Sequence, residues 1–179
     1  MIQYTTDRLI LRNFAPGDVE DVYAFMSLES TALHEAFEPY THAQCEEAVR
    51  RWQSNDRVWA VELAAEGKVI GSLNYAPQAY GAFEIGYDLH EAYGRKGYAT
   101  EACRVLVEHI FLVEGGRRIT AGCNAGNEAS WRLLERLGFR REGLFLEDVS
   151  FKKDGAGEPV YVDSYYYGVL RREWEGMRG

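Results

Sequence analysis

Two rhythms of apolar and polar positions divide the chain into short elements. Arg8-Leu9-Ile10-Leu11-Arg12-Asn13-Phe14 has the composition of a first strand. Pro16-Gly17-Asp18 then opens a helix that carries Val19, Val22, Tyr23 and Met26 at helical spacing. A second helix is predicted from about His42 to Trp52. Thr41 and Gln44 stand three apart as a capping box, and Cys45, Ala48, Val49 and Trp52 recur at the helical period. Strands follow. Val58–Leu63 and Lys68–Tyr75 read as strands joined through Ala65-Glu66-Gly67, and Phe83–Leu89 alternates as a third, with Gly86 marking a bulge or a close approach to the backbone.

The helical period returns at Ala99. Ala102, Cys103, Leu106, Ile110 and Val113 share one face, Glu101, Arg104 and Glu108 take the other, and Gly115-Gly116 stops the helix. Arg118–Cys123 follows as a strand and Asn127–Leu137 as a helix ended by Gly138. Two long strands, about 139–152 and 159–170, close the chain around the turn Asp154-Gly155-Ala156-Gly157. The order predicts an α+β (mixed α/β) fold. The helix between the strands at Glu84 and Ile119 makes them parallel neighbours by a crossover connection. With 179 residues and 46% hydrophobic content, residues 1–179 form one domain without repeat or linker.

The most informative stretch is Tyr93-Gly94-Arg95-Lys96-Gly97-Tyr98-Ala99-Thr100-Glu101-Ala102, a cationic, glycine-bearing turn between a strand and the long helix. The first amides of a helix lack intrahelical partners and sit at the positive end of its dipole, so such a turn is built to take phosphate oxygens. A formal charge of −8 argues against a nucleic-acid binder and gently favours cationic acceptors. Cys45, Cys103 and Cys123 are odd in number and far apart, and His34, His42, His90 and His109 have no ligand spacing, so neither a disulfide framework nor a metal site is expected. No signal-like segment or apolar run of about 20 residues occurs. No membrane partner is therefore expected, and a cytoplasmic location is.

The ordered motifs resemble the GNAT superfamily of acyl-CoA-dependent N-acyltransferases, whose signature R/Q-x-x-G-x-G/A reads here Gly94-Arg95-Lys96-Gly97-Tyr98-Ala99. The nearer likeness is to the RimJ/RimL-like branch, which acetylates protein N-terminal amines. It rests on Thr6–Arg12, Glu84-Ile85-Gly86-Tyr87, Gly97–Ala102, Asn127-Glu128-Ala129-Ser130, Leu137-Gly138-Phe139 and Arg172-Glu173-Trp174. The resemblance implies a largely antiparallel twisted sheet flanked by helices, with one parallel strand pair splayed at the cofactor site. It implies acetyl-CoA as donor. The pyrophosphate would be held by Arg95, Lys96, Gly97, Tyr98, Ala99 and Thr100, the pantetheine by the backbone of Tyr87 and Leu89 and by Asn127, and a nucleotide phosphate by Arg136.

Two positions depart from the superfamily pattern. Gly94 replaces the usual Arg or Gln, which shifts the phosphate grip to backbone amides. Leu134 occupies the place where many members carry a tyrosine that protonates the departing thiolate. Ser130, one helical turn beyond Asn127, is the candidate acid, its alternative being a small residue packed beside the cofactor. Glu84 is the candidate base, its alternative a solvated or substrate-orienting carboxylate. Holding the reactants together can itself remove about 7–11 kcal/mol of barrier. The demand for a base depends on the acceptor: an α-amine of pKa about 7.7–8.0 must give up about 1.4 kcal/mol to be neutral at pH 7, a lysine at about 10.4 roughly 4.6 kcal/mol. An acyl-cysteine at Cys123 is not needed for direct transfer, and Tyr165-Tyr166-Tyr167 suits a strand's two faces, with core or sheet packing as its expected role and the lining of the acceptor groove by one or two of them as the alternative. A small amine or a protein N-terminus is the expected acceptor, and a homodimer through the C-terminal strands is compatible. The competing function is a catalytically idle acyl-CoA-binding or regulatory module. A P-loop or Rossmann nucleotide site is set aside, because neither glycine pattern occurs.

Overall fold

The computed structural model describes residues 3–35 and 37–178. A hairpin of β1 (Gln3–Thr5) and β2 (Leu9–Arg12) leads into α1 (Val19–Met26), a short α2 (Glu29–Ala32) and α3 (His42–Trp52). Then come β3 (Val58–Leu63), β4 (Lys68–Pro77), β5 (Ala82–Leu89), α4 (Tyr98–Leu112), β6 (Arg118–Asn124), α5 (Glu128–Arg136), β7 (Arg140–Lys153), β8 (Pro159–Leu170) and α6 (Arg171–Met177). The strands form one eight-stranded sheet in the order β1-β2-β3-β4-β5-β6-β8-β7. Every neighbouring pair is antiparallel except β5 and β6, the parallel pair that the crossover predicts.

Alternation along the strands builds a core on each face. Trp59, Val61 and Leu63 of β3 pack with Leu106, Ile110 and Phe111 of α4 and with Leu133 and Leu134 of α5. Ala60, between them, faces Phe14, Val22, Phe25, Met26, Cys45 and Val49 on the α1–α3 side. The capping box at α3 forms as its spacing requires: Gln44 Oε1 accepts from the Thr41 amide at 2.8 Å and Thr41 Oγ1 from the Gln44 amide at 3.4 Å. At the start of α1, Asp18 accepts from the Ala15 amide at 2.7 Å and holds the Arg12 guanidinium in a two-pronged pair at 2.8 and 2.9 Å.

Several expectations are corrected by packing. In α1 the buried stripe is Val22, Phe25 and Met26, while Tyr23 is 38% exposed, because the i, i+3, i+4 set that meets the sheet is shifted by one residue. Val113 lies past the last turn of α4 and is 66% exposed. Gly86 is not a bulge, since the β4–β5 register runs unbroken from Gly71↔Leu89 to Pro77↔Phe83. It is the close approach: a Cβ there would stand 2.8 Å from Nδ2 of Asn74, whose side chain crosses over the glycine. The first strand is shorter than the run Arg8–Phe14, and β1, α2 and α6 carry too few residues for a periodic signal.

Candidate active site

The parallel pairing that positions the site is short. β5 and β6 are joined at Ala82↔Arg118, Phe83↔Ile119 and Glu84↔Thr120, and beyond Glu84 the β6-facing edge of β5 has no strand neighbour among the described residues. The sheet therefore opens into a wedge, and β6 continues to pair with β8 as far as Asn124↔Ser164. A cavity of about 260 Å³ occupies the opening. β5 and β6 supply Ile85–Asp88 and Gly122–Asn124, α5 and its N-cap supply Ser130 and Asn127, and the β7–β8 hairpin supplies Asp148, Val149, Phe151 and Tyr166.

At the far end of β5 the chain makes the predicted turn. A single 3-10 turn, Glu91–Tyr93, places the Gly94 amide 2.9 Å from the Glu91 carbonyl. A Cβ at Gly94 would lie 2.9 Å from that same oxygen, which gives the departure from Arg or Gln a steric reason in this chain. Arg95 (φ +60°) and Gly97 (φ +85°) both take the left-handed conformation, so the backbone reverses twice before α4 begins. No side chain caps the first amides of α4, a helix of 15 residues, so those of Tyr98, Ala99 and Thr100 have no side-chain partner among the described residues.

What holds this turn is a set of contacts from the β1–β2 hairpin that no local pattern encodes. Arg8 Nη1 donates to the Lys96 carbonyl at 2.9 Å, its Nε donates to Glu101 at 2.7 Å, and its guanidinium lies 4.5 Å from the centre of the Tyr98 ring. Glu101 also accepts from Thr6 Oγ1 at 2.6 Å and from the Arg8 amide at 3.2 Å. These contacts hold its carboxyl below the usual range against the opposing effect of burial, the largest single influence on it. The β1–β2 hairpin thus clamps the turn before α4 from the side. Arg95 and Lys96 remain exposed.

In the cavity, Ser130 and Tyr87 meet: the two hydroxyl oxygens are 2.9 Å apart, and the Tyr87 hydroxyl also reaches the Ser130 carbonyl at 3.3 Å. Burial raises the Tyr87 hydroxyl far above the usual tyrosine range, so it is a fixed neutral donor near pH 7. Asn127 caps α5 by accepting from the Ser130 amide at 3.1 Å, which leaves its Nδ2 without a protein partner among the described residues. Cys123 lines the same wall, and burial raises its thiol. Leu134 is fully buried in the core, away from the cavity lining.

Glu84 does not line the cavity. It is exposed on β5 and accepts from Gln78 Nε2 at 3.1 Å. Asp88, four residues on along the same face of the strand, does line it, and so does Glu35 from the segment after α2. Of the tyrosine run, Tyr166 lines the cavity and Tyr167 is buried in the core. Arg136 is exposed in the last turn of α5.

Residues 8–140 match the family described as Acetyltransferase (GNAT) domain. This chain belongs to that GNAT family. It is 30% identical over 173 residues to the Uncharacterized N-acetyltransferase YnaD of Bacillus subtilis (strain 168), covering 95% of this chain and 98% of YnaD. The crystal structure of an acetyltransferase (GNAT family) from Bacillus anthracis superposes with a TM-score of 0.86 at 26% identity, over 96% of this chain and 99% of that one. The spermidine N-acetyltransferase from Vibrio cholerae, solved in complex with CoA and spermine, superposes at 0.78 with 19% identity, over 95% and 99% of the two chains, and shows the fold alone. As a GNAT domain this chain is an acyltransferase, and its sheet is the mixed, mostly antiparallel one of that family. Among its described residues no group of three or more His, Cys, Asp or Glu is arranged to hold a metal ion, and no helix is long and apolar enough to cross a membrane.

Proposed function

We propose that this GNAT domain is an acetyl-CoA-dependent N-acetyltransferase that acts in the cytoplasm on a primary amine by direct attack in a ternary complex. The observation that carries the reading is one continuous path. An uncapped helix N-terminus adjoins the end of β5, an unpaired strand edge runs back from it, and a polar cavity holding Ser130 and Tyr87 lies beside that edge. The residues fit an acyl-CoA. Amides from Arg95 to Thr100, with the Arg95 and Lys96 side chains, offer a site for pyrophosphate, and Arg136 one for a nucleotide phosphate. The free edge of β5 at Tyr87 and Leu89 offers main-chain hydrogen bonds to an extended arm, joined by the open Nδ2 of Asn127. Acetyl-CoA would supply the acetyl group as a thioester.

Within this reading the chain's own groups divide the work. The backbone amide near Gly86–Tyr87 polarises a carbonyl oxygen. The Ser130 hydroxyl donates a proton or hydrogen bond to the departing sulfur, and Tyr87 holds that hydroxyl in place. The motifs shared with the RimJ/RimL-like branch support a protein N-terminal α-amine as acceptor, and small amines share the needed chemistry. Leu144, Phe145, Leu146 and Tyr161 are exposed on the β7–β8 ribbon, which supports a homodimer through the C-terminal strands.

Release of free thiol in the presence of an amine panel tests the reading. Ser130→Ala should lower kcat by ~100-fold, the low end for loss of a positioned proton donor. Glu84→Gln, assayed across the same pH range, tests the exposed carboxylate. Unchanged turnover and profile in both would remove these two residues from the mechanism.

A further inference from the structure

The cavity holds charges that the reading above leaves without a role. Glu35 and Asp88 both line it, one from the segment after α2 and the other from β5, and no Lys or Arg does. Most acidic side chains near basic ones in this fold are paired, as Glu62, Glu101, Glu135 and Glu142 are. The Glu35 carboxyl has no hydrogen bond or ion pair among the described residues, and the Asp88 carboxyl has only a 3.5 Å contact from Ser72 Oγ. Two partly sequestered carboxylates without a cation, beside the hydroxyl pair of Tyr87 and Ser130, are a site shaped for an incoming ammonium. Resting on the N-acetyltransferase reading, we propose that Glu35 is the catalytic residue that takes the proton from the acceptor's ammonium, with Asp88 as the neighbouring charge that attracts the cation and tunes Glu35.

The electrostatics agree with the geometry. Burial first, and the Asp88 charge second, raise Glu35 to about 7; burial raises Asp88 to about 6. A base with that affinity is about half ionised at neutral pH and well matched to deprotonate an amine. Its surroundings are otherwise neutral or acidic. Tyr87 on β5, Cys123 on β6 and Asp148 on β7 face the same space, as does His34, lowered by burial and by Lys152. The step balances. One ammonium proton goes to the Glu35 carboxylate, and the freed nitrogen lone pair forms the N–C bond to an acyl thioester co-substrate. The C–S bond breaks, the second nitrogen proton reaches the sulfur through the Ser130 hydroxyl, and Glu35 returns its proton to solvent. A cationic alkyl amine is the acceptor class this cavity favours.

Two measurements test the assignment. In the ligand-free chain, carbon-detected NMR titration of the side-chain carboxylates should show Glu35 titrating near neutrality and moving to lower pH in Asp88→Asn, because removal of the neighbouring negative charge eases its ionisation. A Glu35 that titrates in the ordinary carboxylate range overturns the proposal. In the acetyl-transfer assay, Glu35→Gln should lower kcat/KM ~100-fold at pH 7 and abolish the acidic limb, with rate recovering only as the amine's own pKa is approached. Asp88→Asn should shift that limb to lower pH. A folded, active Glu35→Gln enzyme that keeps the wild-type limb, or loss of the limb in Glu84→Gln instead, overturns the proposal and leaves the N-acetyltransferase reading standing. A wild-type chain that releases no thiol with any amine overturns both.

Discussion

Gly97→Val should weaken binding of CoA by roughly 30-fold or more while leaving the fold intact. Gly97 sits at φ +85°, ψ 0°, one residue before α4, in a conformation that costs an L-residue roughly 1–2 kcal/mol and a β-branched one more. The turn cannot shed that strain locally. A Cβ there would also lie 3.4 Å from Arg8 Nη2, the guanidinium that anchors Lys96 and Glu101. The chain must then either rotate Gly97 out of the left-handed region, which turns neighbouring amides away from the phosphate position, or displace Arg8 and loosen the hairpin clamp. Both routes act on the anion site. Because the residue is exposed and the core lies elsewhere, the cost should appear mainly in affinity. Calorimetric titration with CoA, alongside thermal unfolding of the free chain, separates the two. An affinity within about threefold of wild type would mean that the side chains of Arg95 and Lys96 carry the phosphate grip.

The turn was legible in the sequence because its requirement is local: a glycine directly before a helix start can be read without knowing what packs around it. The same holds for the Thr41 and Gln44 cap. The carboxylates were less visible. Glu84 and Asp88 lie on one face of β5, and nothing in the pattern says that the wedge opens only after Glu84, so that the nearer residue is solvated and the farther one lines the cavity. Glu35 falls in an irregular segment whose place over the sheet is set by long-range packing. Arg8 lies within the motif Thr6–Arg12, yet its task, holding a turn 88 positions away, exists only in three dimensions. What depends on spacing along the chain was readable; what depends on where the sheet splits was not.

Trp59→Ala should cost about 3–5 kcal/mol of stability, a large share of the ~5–15 kcal/mol that a domain possesses. The indole is fully buried, donates from Nε1 to the Asp56 carbonyl at 2.8 Å, and packs against Tyr4, Tyr75 and His109 with ring centres 5.4, 5.9 and 4.9 Å away. His109 is on α4 and Trp59 on β3, so this aromatic cluster fastens the helix whose N-terminus is the proposed phosphate site. The imidazole is satisfied as a neutral ring. The Tyr75 hydroxyl gives its one proton to Glu114 at 2.7 Å, which makes it the acceptor of His109 Nε2–H at 3.0 Å and leaves Nδ1 to accept from the Tyr4 hydroxyl at 2.7 Å. Burial lowers its pKa, opposed by Glu114. A folded pKa below the unfolded value of about 6.5 means that the unfolded chain binds more protons, so this contribution to stability is lost as pH falls through about 6.5. Glu35 and Asp88 act in the opposite sense between about pH 7 and 4, because their folded pKa values, about 7 and about 6, lie above the unfolded ones. The His109 contribution is therefore read as a difference. Thermal midpoints of wild type and Trp59→Ala, measured from pH 8 to 5, should differ most at pH 8 and converge on acidification, since water admitted beside the imidazole lets it ionise in the folded state. A constant gap across that range would show that Trp59 does not keep His109 dry, and that the cost of removing it is packing alone.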